Sequence, residues 1–339
     1  MRRISYLIAA TVTLLSCCMG LITATSLAAT AKNNTSNPAN NGQALEIAPP
    51  VVYLDVNPGQ SIKTQIFLRN VSSGDLIVKG QANDFVASGE DGTPKLILDN
   101  DTSNDPYSMK SWVSPPASLL LVPKQIKTMN ITINVPKNAS PGGHYGVIRF
   151  TATPPSLEGT GVSLSASLGA LLLLTVKGDI KENLSLKELS VNQNGKTGSL
   201  FQSGPLNFVE RIQNNGNVHE QPTGQVTITN MFGKKIAGLN VNVPPKSILP
   251  SSIRKFEEPL DKTVIGNKRL FGRYTAKMSL TYGANRQVLT GSVSFWVIPY
   301  KLIIAVIIII IALFFLLRYI LRRYNRYILA RAQKAQNKK

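Results

Sequence analysis

Cysteine, histidine and tryptophan are nearly absent from this 339-residue chain, which has two of each, and acids are scarce, with 18 Asp+Glu against 37 Lys+Arg. Both cysteines, Cys17 and Cys18, fall in the N-terminal apolar run, so the rest of the chain has no thiol for a disulfide, a thiolate metal site or a nucleophile. With His144 and His219 as the only imidazoles, most metal and histidine-based catalytic sets are excluded, and neither a cofactor nor a metal is expected. The net charge of +19 is unevenly placed: from Lys301 onward there are nine basic residues and no acid. Basicity gathered beside an apolar run argues against nucleic acid as a partner.

What is present begins with the two ends. Residues 1–31 read as a secretory signal peptide, with Arg2 and Arg3 ahead of an apolar stretch from Ile4 to Leu15 and Ala29-Thr30-Ala31 as a small-residue cleavage site. Leu14-Leu15-Ser16-Cys17 is the rival reading, a lipoprotein box that would lipidate Cys17. Near the other end, Leu302 to Leu317 is sixteen residues without a charge. As a helix it covers about 24 Å of a hydrocarbon core about 30 Å thick. Residues 299–320 are therefore predicted to be a transmembrane helix and 321–339 a basic tail. Trp296 and Tyr300 suit the interfacial aromatic belt, Lys301 and Arg318 can snorkel, and Arg322 and Arg323 continue the basic block, so membrane lipid is the partner of this segment. The positive-inside rule places the tail in the cytoplasm and residues 32–300 outside, as a single-pass protein of the cell membrane.

Residues 32–44, Asn-rich and polar, read as a disordered leader. From Leu45 to Ile298 the signal is strands. Ile62, Thr64, Ile66 and Leu68 alternate with Lys63, Gln65, Phe67 and Arg69, between a turn at Asn57-Pro58-Gly59 and another at Ser72-Ser73-Gly74-Asp75. Met129, Ile131, Ile133 and Val135 form a second period-two face, and Ser163 to Val176 reads as a long buried strand. The order of parts then repeats. A strand ending in Arg69-Asn70, a Pro-marked turn at Val122-Pro123 and Gly143-His144-Tyr145 are followed by a strand ending in Gln213-Asn214, by Val243-Pro244-Pro245 and by Gly272-Arg273-Tyr274. The predicted fold is all-β: two tandem immunoglobulin-like β-sandwiches, residues 45–178 and 179–298, followed by one C-terminal transmembrane α-helix.

Tyr53-Leu54-Asp55-Val56-Asn57-Pro58-Gly59-Gln60, with the strand closing in Arg69-Asn70, resembles the opening of the WxL-interacting surface proteins of Gram-positive bacteria. Val135-Pro136 with Gly143-His144-Tyr145-Gly146-Val147-Ile148-Arg149-Phe150 is similar to a later strand of that family. Phe271-Gly272-Arg273-Tyr274 and Phe295-Trp296-Val297-Ile298-Pro299-Tyr300 before the span look similar to related surface-anchored proteins. The resemblance implies tandem immunoglobulin-like domains, a membrane helix with a short basic tail, and association with peptidoglycan, partner WxL proteins and host ligands. It brings no catalytic residues.

Candidate sites are sparse. Tyr107, Trp112 and Met109 near Pro115-Pro116 are a candidate aromatic contact for glycan or protein, against a reading in which Trp112 fills the sandwich core. Lys234-Lys235 reads as a basic hairpin tip that can touch anionic polymer or headgroups, or simply a solvated turn. His144 reads as a strand-start residue and His219 as loop. Asp84, Glu90, Asp91, Asp99, Asp101 and Asp105 cluster loosely, without the fixed pair of a glycosidase or the spacing of a calcium loop. These residues predict a non-enzymatic surface protein that adheres to cell-wall polymer, to another surface protein, or to both. The alternative is an accessory subunit of a membrane complex, assembled through its helix.

Overall fold

The computed structural model describes residues 45–98, 105–114, 117–153, 166–266 and 269–336. The signal-peptide, lipoprotein and leader readings, and the Asp99–Asn104 part of the acidic cluster, lie outside the described residues.

Strand alternation builds the first sandwich. One sheet runs β1 (Leu45–Ala48), β3 (Ser61–Asn70), β8 (Ile126–Asn134), β6 (Val113–Ser114). The other runs β2 (Val51–Val56), β10 (Ala166–Val176), β9 (Gly142–Thr153), β4 (Leu76–Ser88), β5 (Thr93–Ile97), with β7 (Leu119–Leu121) also on β4. Along β3 the even positions Ile66, Leu68 and Asn70 are fully buried while Lys63, Gln65, Phe67 and Arg69 are exposed, the period-two pattern of a strand with one wet face. Ile131 and Ile133 of β8 and Ile148 and Phe150 of β9 complete the core between the sheets. Each such side chain contributes about 1.5–3 kcal/mol by leaving water, enough to hold a cysteine-free sandwich together.

The second sandwich repeats the plan. Its sheets are β12 (Lys196–Thr197), β11 (Leu184–Gln193), β14 (Leu206–Asn214), β17 (Ile253–Leu260), and β13 (Leu200–Phe201), β19 (Gln287–Val297), β18 (Gly272–Tyr282), β15 (Thr223–Asn230), β16 (Lys235–Val241). Phe208, Ile212, Val226, Met278 and Phe295 lie in its core. The chain is thus two immunoglobulin-like sandwiches in tandem, with β10 ending at Val176 and β11 starting at Leu184. A single turn of helix, α1 (Lys262–Ile265), is N-capped by the Asp261 carboxylate, which accepts from Thr263 N at 2.8 Å.

The Gly-x-Tyr markers are not structural equivalents. The positive-φ glycines that open the two strands are Gly142 and Gly272. Tyr274 stands two residues after its glycine, faces inward and stacks on Phe295. Tyr145 stands three residues after its glycine, so the pleat turns it to the outer face of its sheet.

After β19 only Ile298 and Pro299 precede α2 (Tyr300–Gln336). The helix is long and apolar enough to cross a membrane, and its side chains from Leu302 to Leu317 are all exposed. It runs on past Arg322, Arg323 and Arg326, so the described part of the basic tail is helical.

Candidate functional site

The outer face of a sandwich sheet is normally wet, yet Phe85, Tyr145, Val147 and Leu173 on the outer face of the β2-β10-β9-β4-β5 sheet are all buried. Tyr107 from the first sandwich and Leu249 from the second pack against them. This patch is the junction of the two sandwiches, and hydrogen bonds at three places fix it.

At the first, Asn217 reaches back from the second sandwich. Its carbonyl accepts from Gly143 N at 2.7 Å, and its side chain donates to Asp179 O at 2.9 Å and accepts from Lys181 N at 2.7 Å. Gly142 permits this approach, because a Cβ there would sit 2.5 Å from Asn217 O. At the second, the β4–β5 turn meets β17. Glu90 O accepts from Lys255 N at 2.7 Å, and the Glu90 carboxylate takes a two-point grip from Arg211, with Nε to Oε2 at 2.7 Å. Arg211 also holds Glu188 at 3.2 Å. The hydrogen bond from the Arg211 guanidinium keeps the Glu90 carboxylate below its usual pKa range. At the third, Tyr53 Oη lies 3.2 Å from Ser247 Oγ, and the His219 ring sits between Tyr53 and Tyr145 at centroid distances of 5.6 and 5.8 Å. Burial pulls the His219 pKa down to about 4, so the ring is neutral at pH 7.

Beside these contacts lies a cleft of about 220 Å³. Its walls are Tyr53, Phe85, Leu171 and Leu173 from the first sandwich and Ser247 to Leu249 and Arg254 from the second. Arg254 donates to Ser247 O at 2.7 Å and to Asp91 O at 3.0 Å, and among the described residues it forms no ion pair. Burial lowers its pKa, but a guanidinium stays charged. The cleft therefore offers apolar walls and two cations, exposed Lys246 and half-buried Arg254, the latter hydrogen-bonded to neutral carbonyls with the Asp91 charge close enough to favour its charged form.

The sequence candidates are scattered around this junction. Tyr107 is half-buried in it, its ring 6.1 Å from Tyr145. Trp112 is half-buried on the inner side, packed on the first core with its ring 4.4 Å from His144, so the two do not form one exposed aromatic contact. The His144 ring in turn lies 2.9 Å from Ser140 O and 3.3 Å from Ser108 O. Among the described residues of the loose acidic cluster, buried Asp84 accepts from Met109 N at 2.9 Å and Lys110 N at 2.8 Å, while Glu90 and Asp91 belong to the junction. His219, read as loop, is a junction residue. Lys234 and Lys235 are exposed at the β15–β16 turn, far along the second sandwich from the cleft. Among the described residues no three of His, Cys, Asp and Glu come together as metal ligands. The sequence reading missed Arg211, Asn217 and Arg254, and placed Glu90 only in a loose acidic cluster; these residues meet through tertiary contacts and leave no spacing signal.

No family model and no curated protein matches this sequence. Among solved structures the chain is similar to the YadV chaperone, at 14% identity over 75% of this chain and 100% of that one, with a TM-score of 0.36. The class 5 fimbriae chaperone CfaA matches at 16% identity over 73% and 98% of the two chains, TM-score 0.36. The Salmonella enterica SafA pilin–SafB chaperone complex matches at 12% over 74% and 96%, TM-score 0.36. Overlaps this loose carry no statement about function.

Proposed function

We propose that this chain is a non-enzymatic, membrane-anchored surface protein that binds a partner protein in the cleft between its sandwiches. The observation that supports this reading is Arg254, a half-buried cation at an apolar cleft that donates to two backbone carbonyls and forms no ion pair among the described residues. Such a group suits a carboxylate delivered on an extended protein segment, since a charge-assisted pair there forms in a partly dry setting. The same segment can add main-chain hydrogen bonds along the open edge of β5, whose residues are nearly all exposed and whose Pro94 lines the cleft. The α2 span holds the protein in the cell membrane, and the basic residues after it favour sandwiches facing outward.

The strand motifs around Asn57-Pro58-Gly59 and Gly143-His144-Tyr145 support a place among the WxL-interacting surface proteins, with a WxL protein as partner. One observation favours peptidoglycan as a second ligand: Tyr53 is 47% exposed at the cleft rim, a face on which a sugar ring can stack.

The test is sedimentation of the full chain, in nanodiscs, with isolated cell walls before and after their proteins are stripped. Retention only while wall proteins remain is expected, weakened about tenfold or more by Arg254→Ala. Retention on stripped walls would make peptidoglycan the ligand. Retention on neither would overturn the reading in favour of an accessory subunit held by its helix.

A further inference from the structure

We propose that the base of the second sandwich is itself a lipid-contacting surface, which docks on anionic headgroups beside the point where α2 enters the bilayer. This rests on α2 being a membrane span. The strand register puts the parts together. Asn230 pairs with Tyr274 and Tyr274 with Phe295, so the β15–β16 turn emerges at the same end of the sheet as the last residues of β19. Two residues beyond that row, Phe232 comes level with Gly272 and Val297, which pair with each other. Strands stand about 4.8 Å apart, so the turn lies about 10 Å to the side of β19.

That end is apolar, basic and rigid at once. Phe232 is 84% exposed and Phe271 66%. Neither is on a loose loop. Asn230 Oδ1 accepts from both Phe232 N and Lys234 N at 3.0 Å, and Tyr274 Oη accepts from Phe271 N at 2.9 Å. Met231 lies against Gly272, where a Cβ would come within 2.6 Å of its Cε, and joins the two phenylalanines into one patch. Around the patch Lys234, Arg273 and Lys301 are exposed, and Arg273 is the cross-strand neighbour of the interfacial Trp296, whereas Lys235 turns its Nζ up the strand to Gln225 Oε1 at 3.2 Å. Asp261, ten residues before Phe271, is used as the cap of α1.

The connection to the helix is short and tied: Ile298 N donates to Phe201 O at 2.8 Å and Tyr300 N to Ile298 O at 2.7 Å. The sandwich therefore cannot stand away from the headgroups. Exposed aromatics ringed by cations, level with Trp296, match the composition of a membrane interface. A second protein copy would not explain the clustering of cations around the span. Docking in this way would hold the interdomain cleft at a set height and angle above the bilayer.

The test uses the full chain with Cys17→Ser and Cys18→Ser, one chain per nanodisc, carrying a single nitroxide on a cysteine at Phe232→Cys, Asn285→Cys or Ile309→Cys. Asn285 lies in the β18–β19 turn at the opposite end of the sandwich, and Ile309 is mid-span. Collision with oxygen relative to a water-soluble nickel reagent reads depth. At Phe232 this ratio is expected to exceed that at Asn285 severalfold in discs of phosphatidylcholine with phosphatidylglycerol. It should fall toward the Asn285 value in phosphatidylcholine alone, in high salt, or on adding Lys234→Glu and Arg273→Glu. Each cation is expected to change the docked population ratio about fivefold. Equal ratios at Phe232 and Asn285 in anionic discs, with Ile309 deeply buried, would overturn the docking while leaving the span intact. An aqueous ratio at Ile309 would overturn the span itself, and the docking with it.

Discussion

Asn70 and Asn214 occupy the same place in the two sandwiches and are bonded alike. Each is fully buried at the end of a strand. Asn70 Nδ2 donates to Gly74 O at 2.8 Å and Leu121 O at 3.0 Å, and its Oδ1 accepts from Ser72 N at 2.9 Å. Asn214 Nδ2 donates to Val218 O at 2.7 Å and Ile248 O at 2.9 Å, and its Oδ1 accepts from Gly216 N at 2.8 Å. The turn residues are thus held to the loop that comes from across the sandwich. Asn214→Ala removes three buried hydrogen bonds, taking the side-chain partner from Val218 O and Gly216 N while Ile248 O keeps its bond from Glu220 N, and is expected to cost about 2–4 kcal/mol. Asn70→Ala should cost about the same in its own sandwich. Hydrogen exchange checks this: each variant should lose protection mainly in the sandwich it belongs to.

Glu210 makes the stability of the second sandwich depend on pH. It is fully buried between Phe208 and Ile212 on the inward face of β14, and neither carboxylate oxygen has a hydrogen-bond partner. Burial first, then the charge of Glu258, pushes its pKa up to about 8. Between about 4.5 and 8 the folded chain holds a proton that the unfolded chain has lost, so stability falls as pH rises through that window, by about 1.4 kcal/mol per unit at most. Glu220, raised to about 7 chiefly by burial, acts in the same direction. His219 acts oppositely and lower down, losing stability as pH falls from about 6.5 toward 4. Glu210→Gln should therefore melt higher than the parent at pH 8.5 by several degrees and near it at pH 5, in calorimetry of the full chain in detergent.

The strands were legible because period-two alternation is a local signal. β3, β8 and β18 follow the residues that alternate. The inward place of Glu210 could also be read, since Phe208, Glu210 and Ile212 share one parity, although its charge argued for the outside. The Asn and Gly markers of the duplication were visible, but not their bonding, and one glycine of offset reversed the facing of Tyr145. The junction was not legible. Glu90 and Arg211 lie far apart in sequence, and charged residues on strand faces usually look like solvated positions until a second domain covers them.

The junction should be separable from folding. Gly142 is at φ +122°, and a Cβ there would collide with Asn217 O, a backbone atom that cannot swing aside. Gly142→Ala is therefore expected to push Asn217 away from Gly143 and loosen the sandwiches while each keeps its own core. Small-angle scattering of the full chain in nanodiscs should show a larger mean separation. Glu90→Gln should loosen it less, because the grip by Arg211 is about one-third exposed and screened by water. If Gly142→Ala leaves the separation unchanged, the Asn217 contact does not set the junction.

Trp112 distinguishes support from binding. Its ring covers His144 and part of the first core, and its backbone N–H donates to Met109 O at 2.9 Å, closing the short turn that buried Asp84 caps. Removing the ring exposes that corner, so Trp112→Ala should destabilise the first sandwich by about 2–3 kcal/mol, less than a fully buried aromatic would. Trp112→Phe, which keeps an aromatic face on His144, should recover most of the loss. Urea unfolding followed by circular dichroism measures both. Partner retention per folded molecule should be unchanged in both variants, in contrast to Arg254→Ala, which touches the cleft and no core. A loss of retention in Trp112→Phe without loss of stability would put the binding surface at Trp112 instead.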